Sequence, residues 1–367
     1  MLRQAFNKKK VLVTGHTGFK GSWMCQWLVE LGADVYGYAL APDTEPNIFN
    51  VLGLEEQMHS KIADMRDADA ISSYIAEIKP DFIFHMAAQP LVRRSYQEPK
   101  YTYEVNVMGT LNLLEAVRML NLQTVVVNVT TDKCYENKEW DYGYRESDPL
   151  GGYDPYSSSK ACSELVTSSY RNSFFNPQDY GKSHNVALAS GRAGNVIGGG
   201  DWSDDRLVPD CIKAFSEDKE VEIRNPHATR PWQHVLEPVR GYLQLGALLA
   251  KDPQRYAEAW NFGPNEDAAI NVGTLLEIIT KNWQGKIKNV SNANEPHEAS
   301  FLKLDLSKTR NQLKYQPLLS IDMAVGYTID WYKAYYSGSE DMQAFTKKQI
   351  ETYASGLGEM ATASLAM

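Results

Sequence analysis

The stretch KVLVTGHTGFKGSWMCQWLVEL, residues 10–31, decides the fold. Lys10–Thr14 is apolar and β-branched after its first residue and reads as a buried strand. Gly15-His16-Thr17-Gly18-Phe19-Lys20-Gly21 follows as a glycine-rich turn, and Ser22–Leu31 reads as a helix closed by Gly32. Glycine permits positive φ and lets the backbone approach a pyrophosphate. The helix N-terminus adds N–H donors and a partial positive charge. The spacing is G-x-x-G-x-x-G rather than G-x-G-x-x-G, and such a turn also serves as a tight strand–helix connection. The dinucleotide reading therefore rests on what surrounds it.

Working outward, strand and helix signals alternate. Asp34–Leu40 is a second strand, Ala68–Ile78 a helix stopped at Pro80, Asp81–His85 a short apolar strand and Tyr103–Leu120 a long helix. Thr124–Val129 is a β-branched strand, Tyr156–Tyr170 a helix and Val186–Ala189 a strand. Strands separated by helices of ten or more residues make a parallel sheet with right-handed crossovers. The expected fold class is α/β, a Rossmann-type doubly wound sheet with a smaller mixed α/β C-terminal domain for substrate. Pro209, Pro226, Pro231, Pro264 and Pro317 punctuate that second part, and Gly198–Gly200 form a loop. The expected division is residues 1–190 for the dinucleotide and 191–367 for substrate, with a segment near 229–262 returning to the first. The tail from Ala354 to Met367 reads as loosely attached.

Composition bounds the function. The chain has 367 residues, 43% hydrophobic and 23% charged, an ordinary globular balance. With 37 basic and 46 acidic residues the net charge is −9, which repels nucleic acid and anionic membranes at long range. No apolar run approaches the ~18 residues of a membrane span. Lysines near the N-terminus lack an apolar segment after them, so no secretory signal is read. Cys25, Cys134, Cys162 and Cys211 have neither C-x-x-C spacing nor a histidine cluster, so no metal is expected, and the chain reads as cytoplasmic.

Three further patterns carry chemistry. A ribose-binding acid is sought about 20 residues past the glycine turn, but Tyr36-Gly37-Tyr38-Ala39-Leu40 offers none, and Asp43 lies beyond. Asp64 and Met65 sit where an adenine would lie, and Met86-Ala87-Ala88-Gln89 keep side chains small beside a cofactor. Tyr156 and Lys160 share one helix face, and a nearby ammonium lowers a phenol's pKa, making a general base for an alcohol oxidised beside a nicotinamide. Thr130-Thr131-Asp132-Lys133 ends an apolar strand: Thr131 suits a substrate hydroxyl, while Asp132 and Lys133 are an acid and a potential base, or else a surface ion pair. One or two of Arg192, Arg206, Arg224 and Arg230 would neutralise a diphosphate. His16, His85 and His234 read as packed, and Cys134 as a buried spectator.

Taken together, Gly15–Gly21, Asn106-Val107-Met108-Gly109-Thr110, Thr131 and Tyr156/Lys160 resemble the extended branch of the short-chain dehydrogenase/reductase family, from about Lys9 to Val325. The resemblance implies NAD held by Gly15, Thr17, Gly18, Phe19, Gly21, Asp64, Met65, Ala87, Ala88, Gln89, Asn106, Tyr156 and Lys160. It implies a nucleotide-sugar held by Arg192, Asn195, Arg206, Arg230, His297 and Glu298, and catalysis by Thr131, Asp132, Lys133, Tyr156 and Lys160. Asp132-Lys133, Gly18–Trp23 and Pro296-His297-Glu298-Ala299 look like the 4,6-dehydratase subgroup acting on CDP-glucose, lyases that feed deoxysugar biosynthesis for surface polysaccharide such as the O-antigen of lipopolysaccharide. Ala39 departs from the family's usual acid. The family also implies a homodimer, or a dimer of dimers, through the two long helices. A 4-epimerase needs Tyr156 and Lys160 without Asp132 and Lys133, and a non-catalytic dinucleotide sensor needs neither pair.

Overall fold

The computed structural model describes residues 1–223, 225–265, 268–290 and 302–364, the last eight of these as backbone only. Seven parallel strands form the central sheet: β1 (Lys10–Thr14), β2 (Asp34–Ala39), β3 (His59–Ile62), β4 (Phe82–His85), β5 (Gln123–Thr131), β6 (Asn185–Ala193) and β7 (Ala259–Phe262). Their spatial order is β7-β6-β5-β4-β1-β2-β3. The order reverses direction between β1 and β4, where the crossovers diverge to opposite sides and leave a crevice at the strands' carboxyl ends. β3 escapes the sequence reading because HSKI has no buried position: it pairs only with β2, at the sheet edge.

Helices α1 (Phe19–Glu30), α2 (Ala68–Ile78), α3 (Gly109–Met119) and α4 (Pro155–Ser173) link the strands. α1 starts three residues earlier than expected, with Gly18 as its N-cap, and buries Trp23, Met24, Trp27 and Leu28. The long helix read as Tyr103–Leu120 begins at Pro99 and carries a π-helical turn over Glu104–Met108 before α3. α4 opens on an Asp154 cap that accepts from Ser157 N at 2.9 Å, and Pro155 at its first position lacks the N–H that would go unpaired there.

β6 runs on to Ala193, and the chain returns through α5 (Leu236–Lys251) to β7, which pairs with Ser190–Ala193. Two more helices, α6 (Ile321–Ser337) and α7 (Met342–Ser364), follow, so helix continues through much of the tail read as loose. Glu237 on α5 holds this end together. Its carboxylate accepts from Leu318 N at 2.7 Å, Leu319 N at 2.8 Å and the Tyr353 hydroxyl at 2.6 Å, with Arg240 at 3.4 Å. At 1% exposure it survives as a buried charge because every lone pair has a donor. Glu237→Ala strands the Arg240 cation and two backbone N–H groups. We expect a loss of about 3–5 kcal/mol in denaturant unfolding, against near-normal stability if water can replace these contacts.

Candidate active site

A cleft of about 400 Å³ opens at the β1/β4 crevice. Gly15 has φ +77°, and a Cβ there would sit 2.7 Å from Ala87 N; one on Gly21 would sit 2.1 Å from Gly15 O. Only glycine fits either place. Thr14 ties the two strand ends, its Oγ1 accepting from Met86 N at 3.1 Å and Ala87 N at 3.2 Å. Thr17 Oγ1 donates to Leu40 O at 2.8 Å. Gly15, Thr17, Gly18, Phe19, Gly21, Asp64, Met65, Ala87, Ala88 and Gln89 all line the cleft. A close-packed glycine turn, a helix N-terminus and a floor of small residues fit a dinucleotide. Asp64 is a carboxylate held below the usual range by the Arg66 guanidinium, 2.7 Å away. Asn106 needs correction. It is 1% exposed, with Oδ1 accepting from Gln89 N at 2.8 Å and Nδ2 donating to Gln89 O at 3.1 Å and Ser159 Oγ at 2.8 Å. It braces the Gln89 backbone against α4 rather than facing a cofactor.

Tyr156 and Lys160 line the same cleft. The expectation of a lowered phenol pKa is not met: burial pushes Tyr156 up to about 12, against an opposing hydrogen bond with Thr131. Lys160 Nζ donates to Val129 O at 3.2 Å, and burial together with the charge of Lys20 brings it down to about 8. Asp132 is 1% exposed. Its Oδ1 accepts from Thr131 Oγ1 at 3.0 Å, while Oδ2 is buried against Gly194 without a hydrogen-bond donor. Burial pushes this carboxyl up, opposed by the charge of Lys133. The shift is toward the protonated form.

Lys133 and Arg230 line an adjoining cavity of about 300 Å³ with Glu136, Asp154 and Ser157. Arg206 lines the main cleft and pairs with Asp201 at 2.7 Å. Arg192 is a second correction. It is 3% exposed, paired with Glu164 at 2.9 Å and donating to the Tyr135 hydroxyl at 2.8 Å, so it is a core cation and not a diphosphate ligand. Asn195 is half-buried, and its carbonyl accepts from Gln233 N at 3.1 Å. Arg224, His297 and Glu298 lie outside the described residues. His16, His85 and His234 are buried, and burial lowers them to about 4, 3 and 3.

Sequence reasoning missed Lys20 and Asp201, which both line the main cleft. Asp201 carries no local signal. Lys20 does: a lysine in the first turn of α1 faces the positive end of the helix dipole, an unfavourable place for a cation with no other business there.

Ala39, the last residue of β2, lines the cleft beside Asp64. Ala39→Asp supplies the ribose-binding carboxylate the chain lacks. Titration calorimetry should show NAD binding tighter by roughly tenfold, the worth of one charge-assisted hydrogen bond. An unchanged isotherm would place Ala39 away from the ribose.

With this geometry established, three similarities bear on it. The CDP-glucose 4,6-dehydratase of Salmonella typhimurium is 50% identical over 348 residues, 95% of this chain and 96% of the relative. The UDP-glucose 4-epimerase of Mycolicibacterium smegmatis is 28% identical over 88% of this chain and 98% of its own. The structure of the dTDP-glucose 4,6-dehydratase DesIV from Streptomyces venezuelae, with NAD and TYD bound, shares the fold at a TM-score of 0.76 and 23% identity, covering 91% of this chain and 99% of that one. The family described as GDP-mannose 4,6 dehydratase matches residues 12–328, which include all of the sheet but the first two residues of β1, the glycine turn and Tyr156/Lys160. A match of that span leaves one conclusion: the chain belongs to this dehydratase family.

Proposed function

We propose that the protein removes water from CDP-glucose, yielding CDP-4-keto-6-deoxyglucose, with NAD as a cofactor used and restored in each turnover. The observation that carries this reading is Asp132, a buried carboxyl next to Thr131 and Tyr156 whose environment favours the protonated form. The half-identical relative of that activity supports the choice of nucleotide. NAD would be held by the glycine turn Gly15–Gly21 with Asp64 and Ala87–Gln89, and would supply a hydride acceptor for C4 and a donor for C6.

The chain's residues supply the proton chemistry. Tyr156 takes the C4 hydroxyl proton, with Lys160 one turn along α4 in the same cleft. The new ketone acidifies the C5 proton. Lys133, at the adjoining cavity, is the candidate base, and Thr131 orients the reacting hydroxyl. Asp132 gives its proton to the departing C6 hydroxyl, and water leaves. Arg206 and Arg230 face the two cavities and suit the diphosphate. His297 and Glu298 remain proposed ligands on resemblance alone.

The exposed Tyr103, Met108, Met119, Leu165 and Phe174, on the long helices or at their ends, support a dimer through that face. A cytoplasmic setting and a product bound for surface polysaccharide complete the reading. Four free cysteines suit a reducing compartment, and among the described residues no helix is long and apolar enough to cross a membrane.

Mass spectrometry after incubation with CDP-, UDP-, GDP- and dTDP-glucose should show loss of one water from CDP-glucose alone. Epimerisation without water loss would replace the reading with a 4-epimerase, and no conversion of any would leave a dinucleotide sensor. Tyr156→Phe should fold normally and lose about 10²–10⁴ in turnover; near-normal turnover would remove it from the chemistry.

Asp132→Asn keeps the size but has no carboxyl proton to give. The variant should oxidise C4, seen as the absorbance of reduced nicotinamide on the enzyme, and stall before water loss. Full dehydration by this variant would move the acid elsewhere.

A further inference from the structure

Lys20 stands apart from the other cations of the cleft. Arg206 is paired with Asp201, Lys160 donates to Val129 O, and Arg94 is paired with Glu98. Lys20 lines the cleft, half-buried, and among the described residues its ammonium has neither a hydrogen bond nor an ion pair. Its position is fixed from several sides. It feels the charges of Arg206, Asp132 and Asp201, and Lys160 feels its charge. Tyr156 in turn feels Asp132 and Arg206. Lys20, on α1, therefore shares the cleft with Tyr156, Lys160 and Arg206, the groups to which the proposed reaction assigns the sugar.

Leaving an ammonium unpaired in a partly dry cleft is unfavourable unless a ligand atom meets it. Burial and the neighbouring Arg206 already bring Lys20 down to about 8. An oxygen that becomes negative during the reaction would relieve this strain at the moment it is needed. The proposed reaction creates one. When the C5–H bond breaks, its electron pair forms the C4=C5 bond and the C4 carbonyl becomes an enolate. The pair then moves on to form C5=C6 as the C6–O bond breaks and the Asp132 proton leaves with the oxygen as water.

We propose that Lys20 is a further catalytic residue, the cation that meets the C4 oxygen and stabilises the enolate formed between oxidation and loss of water. The proposal rests on the 4,6-dehydratase reading. It assigns Lys20 to a step that a 4-epimerase, which breaks no C5–H bond, does not need. A fixed charge aimed at a developing oxyanion typically contributes 10²–10³ in rate.

The test isolates enolisation. CDP-4-keto-6-deoxyglucose, incubated with the enzyme in deuterium oxide, exchanges its C5 proton without hydride transfer or elimination. Lys20→Met should slow this exchange by 10²–10³-fold at saturating ligand, and Lys20→Arg should restore part of it. With CDP-glucose, Lys20→Met should still build up reduced nicotinamide in a single turnover. Exchange at the wild-type rate would overturn the proposal. So would a variant that only raises the Michaelis constant, which would make Lys20 a phosphate contact, or one that only loses NAD affinity. Wild-type enzyme that neither dehydrates CDP-glucose nor exchanges C5 would overturn the functional reading itself, separately from any Lys20 variant.

Discussion

The approach of Gly15 to the Ala87 backbone is the constraint on which the site depends. At 2.7 Å from Ala87 N there is no room for a Cβ, so the ends of β1 and β4 close to a distance that any other residue at position 15 would prevent. Thr14 fixes that approach by accepting from two consecutive backbone N–H groups of the neighbouring strand end. The crevice forms here because this is where the strand order reverses, and α1 starts from the same turn. One close contact thus sets the floor of the cleft, the direction of α1 and the place where Lys20 projects.

The second determinant is desolvation. Tyr156, Lys160 and Asp132 are buried and Lys20 half-buried, and desolvation moves each toward its neutral form: the phenol and the carboxyl up, the two amines down. A site made only of charged pairs would hold its protons too firmly to exchange them. Here burial lowers the two amines and raises the carboxyl, which narrows the gap between their proton affinities. The three histidines are buried without this poise. His85 bonds Thr14 and Thr110, and His16 bonds Ser60, so they are neutral parts of the scaffold.

The parts of the molecule that were legible in sequence are those where burial is periodic. β1, β2, β4, β5, β6, α2 and α4 follow from apolar runs and helical spacing, and the glycine turn from its place between a strand and a helix. β3 was not legible, because an edge strand buries nothing on its own account. Asn106 and Arg192 carried the right residue types in the right region, but residue type does not say which way a side chain points. Asn106 turns to the Gln89 backbone, and Arg192 turns into the core to meet Glu164, whose role as its partner depends on α4 crossing β6. Asp201 and the Glu237 hub are likewise made by tertiary contact alone.

What separates elimination from simple oxidation on this scaffold is a small local difference. The sheet, the glycine turn and the Tyr156/Lys160 face serve any reaction that begins by oxidising a sugar alcohol. Elimination requires a proton donor for C6, and the proposed donor, Asp132, stands one residue after Thr131, in a 3-10 turn at the end of β5. Gly194 makes this possible from the other side. Its missing side chain leaves the space that Asp132 Oδ2 occupies, since a Cβ there would lie 2.4 Å from that oxygen. Oδ1 is bonded by Thr131 Oγ1, but Oδ2 packs against bare backbone with no donor, and burial raises this carboxyl above its ordinary range. In the proposed reaction the acid is thus shifted toward its protonated form by packing, and Gly194, just past the end of β6, contributes to that packing although no proton passes through it.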